Sequence, residues 1–202
     1  MGTGLTRCAR PHGRWSRTGL IAAALLAALH ARAQYYGYYT LTGGTATVSA
    51  QTFSAAATNQ SAVFVTAKGR LTMNNMTLVS SGNTTNTDVS SQYGLNATLL
   101  AKTGTVSMTG GSITSSGSGA NLAFATGPGS VIGLTNVVLY ASGGNAHAVD
   151  VTYCGVIAAS NVTMVTRGGS SSAIATDYGG GTVTVCHCEV TVNGNKSAAL
   201  YS

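Results

Sequence analysis

The chain has 202 residues and a formal net charge of +6, with 44% apolar but only 7% charged residues and four acids in all. Val, Ile, Leu, Ala and Met recur in register, which excludes a disordered chain, whose signature is low hydrophobicity with high net charge. Five of the ten basic residues lie within the first 32 positions, leaving five basic against four acidic residues beyond them, a net +1. That remainder lacks the electrostatic footprint of a nucleic-acid binder.

Residues 1–33 read as a secretory signal peptide. Arg7, Arg10, Arg14 and Arg17 form a basic leader, and an apolar run follows from Gly19 to Leu29. Ala31-Arg32-Ala33 then offers a small-residue cleavage site, with Gln34 as the new N-terminus. The apolar run is shorter than the roughly 18–20 residues a spanning helix needs, and no second long one follows, so no membrane span is expected after signal removal. The expected localisation is secreted or cell surface. Residues 34–45, with the Tyr35–Tyr39 cluster, are expected to cap the first turn of the domain that follows.

From residue 46 to 202 a unit of about 25 residues recurs. The first inward apolar residue of each unit is Ala46, Leu71, Val106, Ile132, Ile157 and Val183, in steps of 25, 35, 26, 25 and 26. A fixed period of this length signals a solenoid whose units bury apolar faces on one another. Within each unit the apolar residues alternate, as in Ile132, Leu134, a phase break, then Val137 and Leu139. Alternation with period two marks strands buried on one face. A third alternating stretch supplies Val63 and Val65, Val149 and Val151, and Ile174 as inward residues. Gly-rich corners follow it.

Three strands and three corners per unit predict an all-β fold: a single-stranded right-handed parallel β-helix of about six rungs. At the first corner Asn75, Asn136 and Asn161 are equivalent and predict a structural ladder, interrupted by Gly110 and His187. Asn there tolerates the left-handed conformation and can bond to the backbone of the next rung. The long step places a polar insertion at residues 80–94, predicted to leave the coil as a loop. No cap is evident after the last unit, so its open rung is a candidate for self-association.

The repeat length, strand pattern and Asn corner resemble the right-handed β-helix proteins, among them pectate-lyase-like enzymes, autotransporter passengers and adhesins. The resemblance covers residues 46–202. It implies fold more than function, since this scaffold hosts polysaccharide enzymes, adhesins and ice binders alike.

A polysaccharide lyase or hydrolase requires clustered acids, or calcium with a basic residue. Asp150 and Asp177 are the only acids in neighbouring rungs. Asp150 is predicted to point outward and Asp177 to align with Thr152, so both read as solvated acids rather than catalytic ones. Tyr153 and Tyr178 are predicted to stack, and Phe64, Phe124 and Tyr201 share an outward column with Asp150 and Ala175 between them. These aromatics form the candidate binding surface. Cys188 aligns with Val137 and Val162 as a core residue, and the Cys186 and Cys188 thiols face opposite ways, so no metal or cofactor site is assigned. The Thr47–Thr184 and Thr52–Glu189 outward columns are too broken for a dedicated ice-binding array. Asn83, within the insertion, is the candidate N-glycosylation acceptor among six N-x-S/T sequons.

The preferred reading is a structural or adhesive β-helix with carbohydrate or a cell-surface protein as partner. A polysaccharide lyase or hydrolase is the alternative, and an ice-binding solenoid a weaker one.

Overall fold

The computed structural model describes residues 35–202, and the expected signal peptide lies outside the described residues. The described chain winds as a right-handed parallel β-solenoid of about six turns. One face is a seven-stranded sheet in the order β1 (Tyr36–Thr42), β4 (Gln60–Thr66), β6 (Leu99–Lys102), β8 (Ala123–Thr126), β11 (Val149–Thr152), β14 (Ile174–Thr176) and β17 (Leu200–Tyr201). The other two faces share a second sheet. Its first rank is β2 (Thr45–Ser49), the front of β5 (Arg70–Ser80) and of β7 (Thr105–Ser115), β9 (Val131–Thr135), β12 (Gly155–Ser160) and β15 (Gly181–Cys186). Its second rank is β3 (Thr52–Ala55), the ends of β5 and β7, β10 (Val138–Ala141), β13 (Thr163–Thr166) and β16 (Glu189–Val192).

The predicted register is the observed one. Ala46, Leu71, Val106, Ile132, Ile157 and Val183 are successive partners across six parallel strands. Ile132 and Ile157 are fully buried, and the row two positions on (Val48, Met73, Met108, Leu134, Ala159) joins the same core. Each aliphatic row packs along the axis as well as across it, because stacked strands lie only about 4.8 Å apart. Tyr35–Tyr39 was expected to lie across the first rung. Most of it instead enters the coil in β1, where Tyr39 pairs with Val63 and stacks its ring on Phe53 at 5.1 Å.

The bend between the two ranks takes a left-handed residue in every turn: Ala50, Asn75, Gly110, Asn136, Asn161 and His187 all have φ between 51° and 73°. Asn tolerates this region better than most side chains. The expected bond to the next rung's backbone is replaced by an amide-to-amide bond from Asn161 Nδ2 to Asn136 Oδ1. Asn75 Oδ1 occupies the space that a Cβ on Gly110 would enter, so the break in the ladder is sterically matched.

A second stacked row, of glycines, lines the corner before the seven-stranded sheet. A Cβ on Gly117 would sit 1.9 Å from Gly82 O, one on Gly143 2.0 Å from Gly117 O, and one on Gly168 1.8 Å from Gly143 O. Backbone therefore lies directly on backbone at this corner, and no side chain fits between turns. Gly144, one residue on, is a natural control, because its nearest neighbour to an added Cβ is 3.5 Å away. Gly143→Ala is expected to lower the urea midpoint markedly, a stability loss of about 1–3 kcal/mol or more as for an overpacked core, while Gly144→Ala changes it little.

Candidate functional site

The insertion after β5 is not the loop that its polarity predicts. Thr87–Tyr93 form a helix, α1, capped by Asn86, whose side chain accepts the Val89 N–H at 3.0 Å. Gly94 ends it in the left-handed conformation, with its N–H donated to Ser90 O. Asn before the helix, Asp88 in its first turn and Gly after it are the helix signals that were available in the sequence.

α1 lies against the outer face of the seven-stranded sheet. Ser90 Oγ donates to Gly119 O, and Thr152 Oγ1 donates to Gln92 O at 2.9 Å. The Tyr93 ring is parallel to that of Tyr153 at 5.3 Å. A Cβ on Gly94 would fall 2.6 Å from both Leu100 and Phe124, so glycine permits this close approach as well as the turn.

This covering changes the outward column. In register it runs Phe64, Leu100, Phe124, Asp150, Ala175, Tyr201. Phe64, Ala97, Leu100 and Phe124, with Tyr35 packed against them, form a second apolar core outside the coil. Phe64 and Phe124, expected on an exposed binding surface, are therefore buried and unavailable to a partner. Tyr201 remains 48% exposed and Tyr178 44%. Tyr153 and Tyr178 do occupy neighbouring turns, with the Tyr153 N–H donated to Tyr178 O, but the ring stacked on Tyr153 is that of Tyr93. Burial, the bond to Tyr93 and the nearby phenols push the Tyr153 hydroxyl up to about 12.

Asp150 is the largest departure. Expected on solvent, it is fully buried, and neither carboxylate oxygen has a hydrogen-bond partner. Burial raises its pKa well above the ordinary carboxylate range; the nearby Asp177 charge adds to this, while the Val151 backbone N–H, close by but outside hydrogen-bond geometry, opposes it. Because Val151 pairs with Thr176, Asp177 stands one strand across and two residues along from Asp150. That geometry separates their backbones by about 8 Å. Asp177 also accepts the Tyr178 N–H at 3.3 Å.

Beside α1 and toward the later turns opens a groove of 280 Å³. α1 supplies Ser91; the corner residues Asn145, Ser170 and Lys196 form one side; His147, Ser172, Asp177 and Tyr201 complete it. The three corner residues are all left-handed, at φ 52°, 54° and 54°, and so recur at the same point of successive turns. Asn121 Oδ1 accepts the His147 N–H at 2.7 Å, and His147 Nδ1 lies 3.2 Å from Ser172 O, so Nδ1 carries the hydrogen. The His147 ring is parallel to that of Tyr201 at 6.4 Å. Burial lowers its pKa, partly offset by the Ser172 carbonyl and Asp177.

Other singled-out residues fall elsewhere. Lys102 is held over the rings of Tyr35 and Tyr93 at 4.4 and 5.2 Å, and burial lowers its pKa. Cys188 packs against the interior core, and Cys186 Sγ lies 3.1 Å from His187 Nδ1 on the exposed last turn. Among the described residues no three His, Cys, Asp or Glu side chains gather as a metal site. Asn83 is exposed, yet its side chain accepts the Ser118 N–H at 2.9 Å within the corner. Gly133 and Ala158 interrupt the Thr47–Thr184 column and open a shallow trough of 220 Å³ there. No helix among the described residues is long and apolar enough to cross a membrane.

A carboxyl whose folded pKa exceeds its unfolded value stabilises the fold fully below the unfolded pKa, and this contribution fades as pH rises toward the folded one. The Asp150 contribution is therefore expected to decline from about pH 4 upward. Urea titrations across this range should show a negative slope in the natural chain that Asp150→Asn flattens.

No protein-family profile matches the chain, and neither a curated protein nor a solved structure resembles it closely enough to count as a match.

Proposed function

We propose that this is an exported β-helix with a structural and adhesive role at the cell surface, engaging carbohydrate or a surface protein through the groove beside α1. One observation carries the reading. The groove sets an imidazole–phenol pair, a carboxylate, hydroxyls and an amide on rigid stacked strands next to a helical wall. Sites of this kind combine a flat ring with a few placed polar groups, as sugar faces require. The side chains are held by the coil, so binding needs little ordering of the protein.

A second reading, a polysaccharide hydrolase, is favoured by the Asp150–Asp177 relationship. Two acids on adjacent turns of one face form the kind of pairing that glycoside cleavage uses. Burial favours the protonated form of Asp150, the form a general acid needs. Asp150 is fully buried, however, so a substrate reaches it only through a rearrangement of the face that covers it.

A glycan array and whole-cell binding screen of the chain from Gln34 tests the first reading. Binding is expected, and Tyr201→Ala should weaken it by about tenfold, or 1.4 kcal/mol. Saturable binding unaffected by Tyr201→Ala would place the contact elsewhere. Turnover of uronic or neutral polysaccharides that disappears in Asp150→Asn and Asp177→Asn would establish the hydrolase in its stead. The broken Thr columns predict no thermal hysteresis.

A further inference from the structure

The groove has an imbalance that its own residues leave unmet. Asp177 stands in its wall, and Asp150 lies diagonally beneath, with both oxygens lacking a partner. Only Ala175 separates Asp150 from Tyr201 along the column. Phe124 and Ala175, the in-register neighbours of Asp150 on β8 and β14, carry no charge. The nearby titratable groups on the surrounding elements are Asp88 and Tyr93 of α1, His147 before and Tyr153 after β11, Asp177 and Tyr178 after β14, Lys102 of β6, and Tyr201 of β17. Lys102 is engaged by two tyrosine rings, and burial keeps His147 toward its neutral form. Lys196 is exposed and lines the corner side of the groove. Asp177 and Lys196 thus both line the groove, and the buried carboxyl of Asp150 lies behind the Asp177 side of it without a counter-charge. A buried carboxyl without a partner is costly, and a fixed opposite charge relieves that cost.

A suitable ligand offers three things together. It needs a flat, weakly polar face for the Tyr201–His147 ring pair, hydroxyls for Asn145, Ser170 and Ser172, and a positive charge for Asp177 and Asp150. We propose that the groove beside α1 binds amino-sugar polymers with free amines, one ammonium group seating against Asp177 above buried Asp150 while a sugar ring lies on Tyr201. This rests on the groove being the binding surface. Occupancy is coupled to ionisation: an ammonium paired with Asp177 lowers the cost of charge on the neighbouring Asp150 without touching it, and the proton that Asp150 gives up passes to solvent. An N-acetylated sugar has no charge to offer, and a uronate brings a third carboxylate to the pair, with only Lys196 in compensation.

Isothermal titration of the full chain at about pH 5.5, in two buffers of different ionisation enthalpy, tests this against three oligosaccharide probes. They are oligoglucosamine with free amines, its N-acetylated form, and oligogalacturonate. The free-amine oligomer is expected to bind at least about tenfold tighter than either other probe and to release protons on binding. Asp177→Asn should lose about tenfold in affinity. Asp150→Asn should abolish the proton release, with circular dichroism confirming that the variant is folded. Asp177, being half-exposed, keeps the test sound if the buried substitution does not fold. Equal affinity for the acetylated probe, tighter binding of oligogalacturonate, or full affinity in Asp177→Asn would overturn the amino-sugar assignment. If another glycan then binds with loss on Tyr201→Ala, the groove itself stands. If neither glycans nor cells bind at all, both readings fall together.

Discussion

Parallel hydrogen bonding between one turn and the next is the constraint from which the rest of this molecule follows. It places each residue about 4.8 Å from its counterpart a unit away, so sequence positions become columns and every column must tolerate its own repetition. Aliphatic columns stack into a continuous interior. Backbone can approach backbone only where a column is glycine, as at Gly117, Gly143 and Gly168. Left-handed bends recur at one place per turn and select Asn, Gly or an occasional Ala or His. The same rule builds the groove, since Asn145, Ser170 and Lys196 share a column and His147 and Ser172 lie close in space for that reason.

Against this regular coil, α1 is the single irregular element described, and it sets the character of one face. It converts outward Leu100 and Phe124 into core and walls the groove on one side. It also leaves Asp150 without solvent and without a partner. A carboxyl in that position makes the face sensitive to charge, because ionisation there has no water and no opposite charge to support it. The contrast with Asp177, which shares the neighbourhood but touches the groove, separates two otherwise similar acids by environment alone.

Most of the coil was legible in the sequence because its period is short and its alternation strict. Ala46 to Val183 could be aligned by counting, and the observed pairing agrees at each step. The outward face was less legible for a specific reason. Whether an outward residue meets water depends on what lies over it, and the insertion's polar composition suggested nothing would. The capping signals at Asn86, Asp88 and Gly94 were present, but a seven-residue helix offers too few apolar positions to show a helical period. Leu100 was missed in the Phe64–Phe124 column because the insertion displaces its turn by about ten residues. The burial of Asp150 followed from both omissions, and so did the groove. The glycine row could have been found by the same counting that located the aliphatic rows.

Every strand pair in the coil joins residues only 24 to 36 positions apart. The entropy lost in closing such a contact depends weakly on loop length, so each new winding meets much the same barrier as the one before. β5 and β7, with ten matched positions on either side of the Asn75–Gly110 bend, form the longest paired stretch and the natural seed for growth in both directions. Assembly then resembles the zipping of a ribbon more than the collapse of a globule, and its pace is governed by one winding rather than by the length of the whole chain.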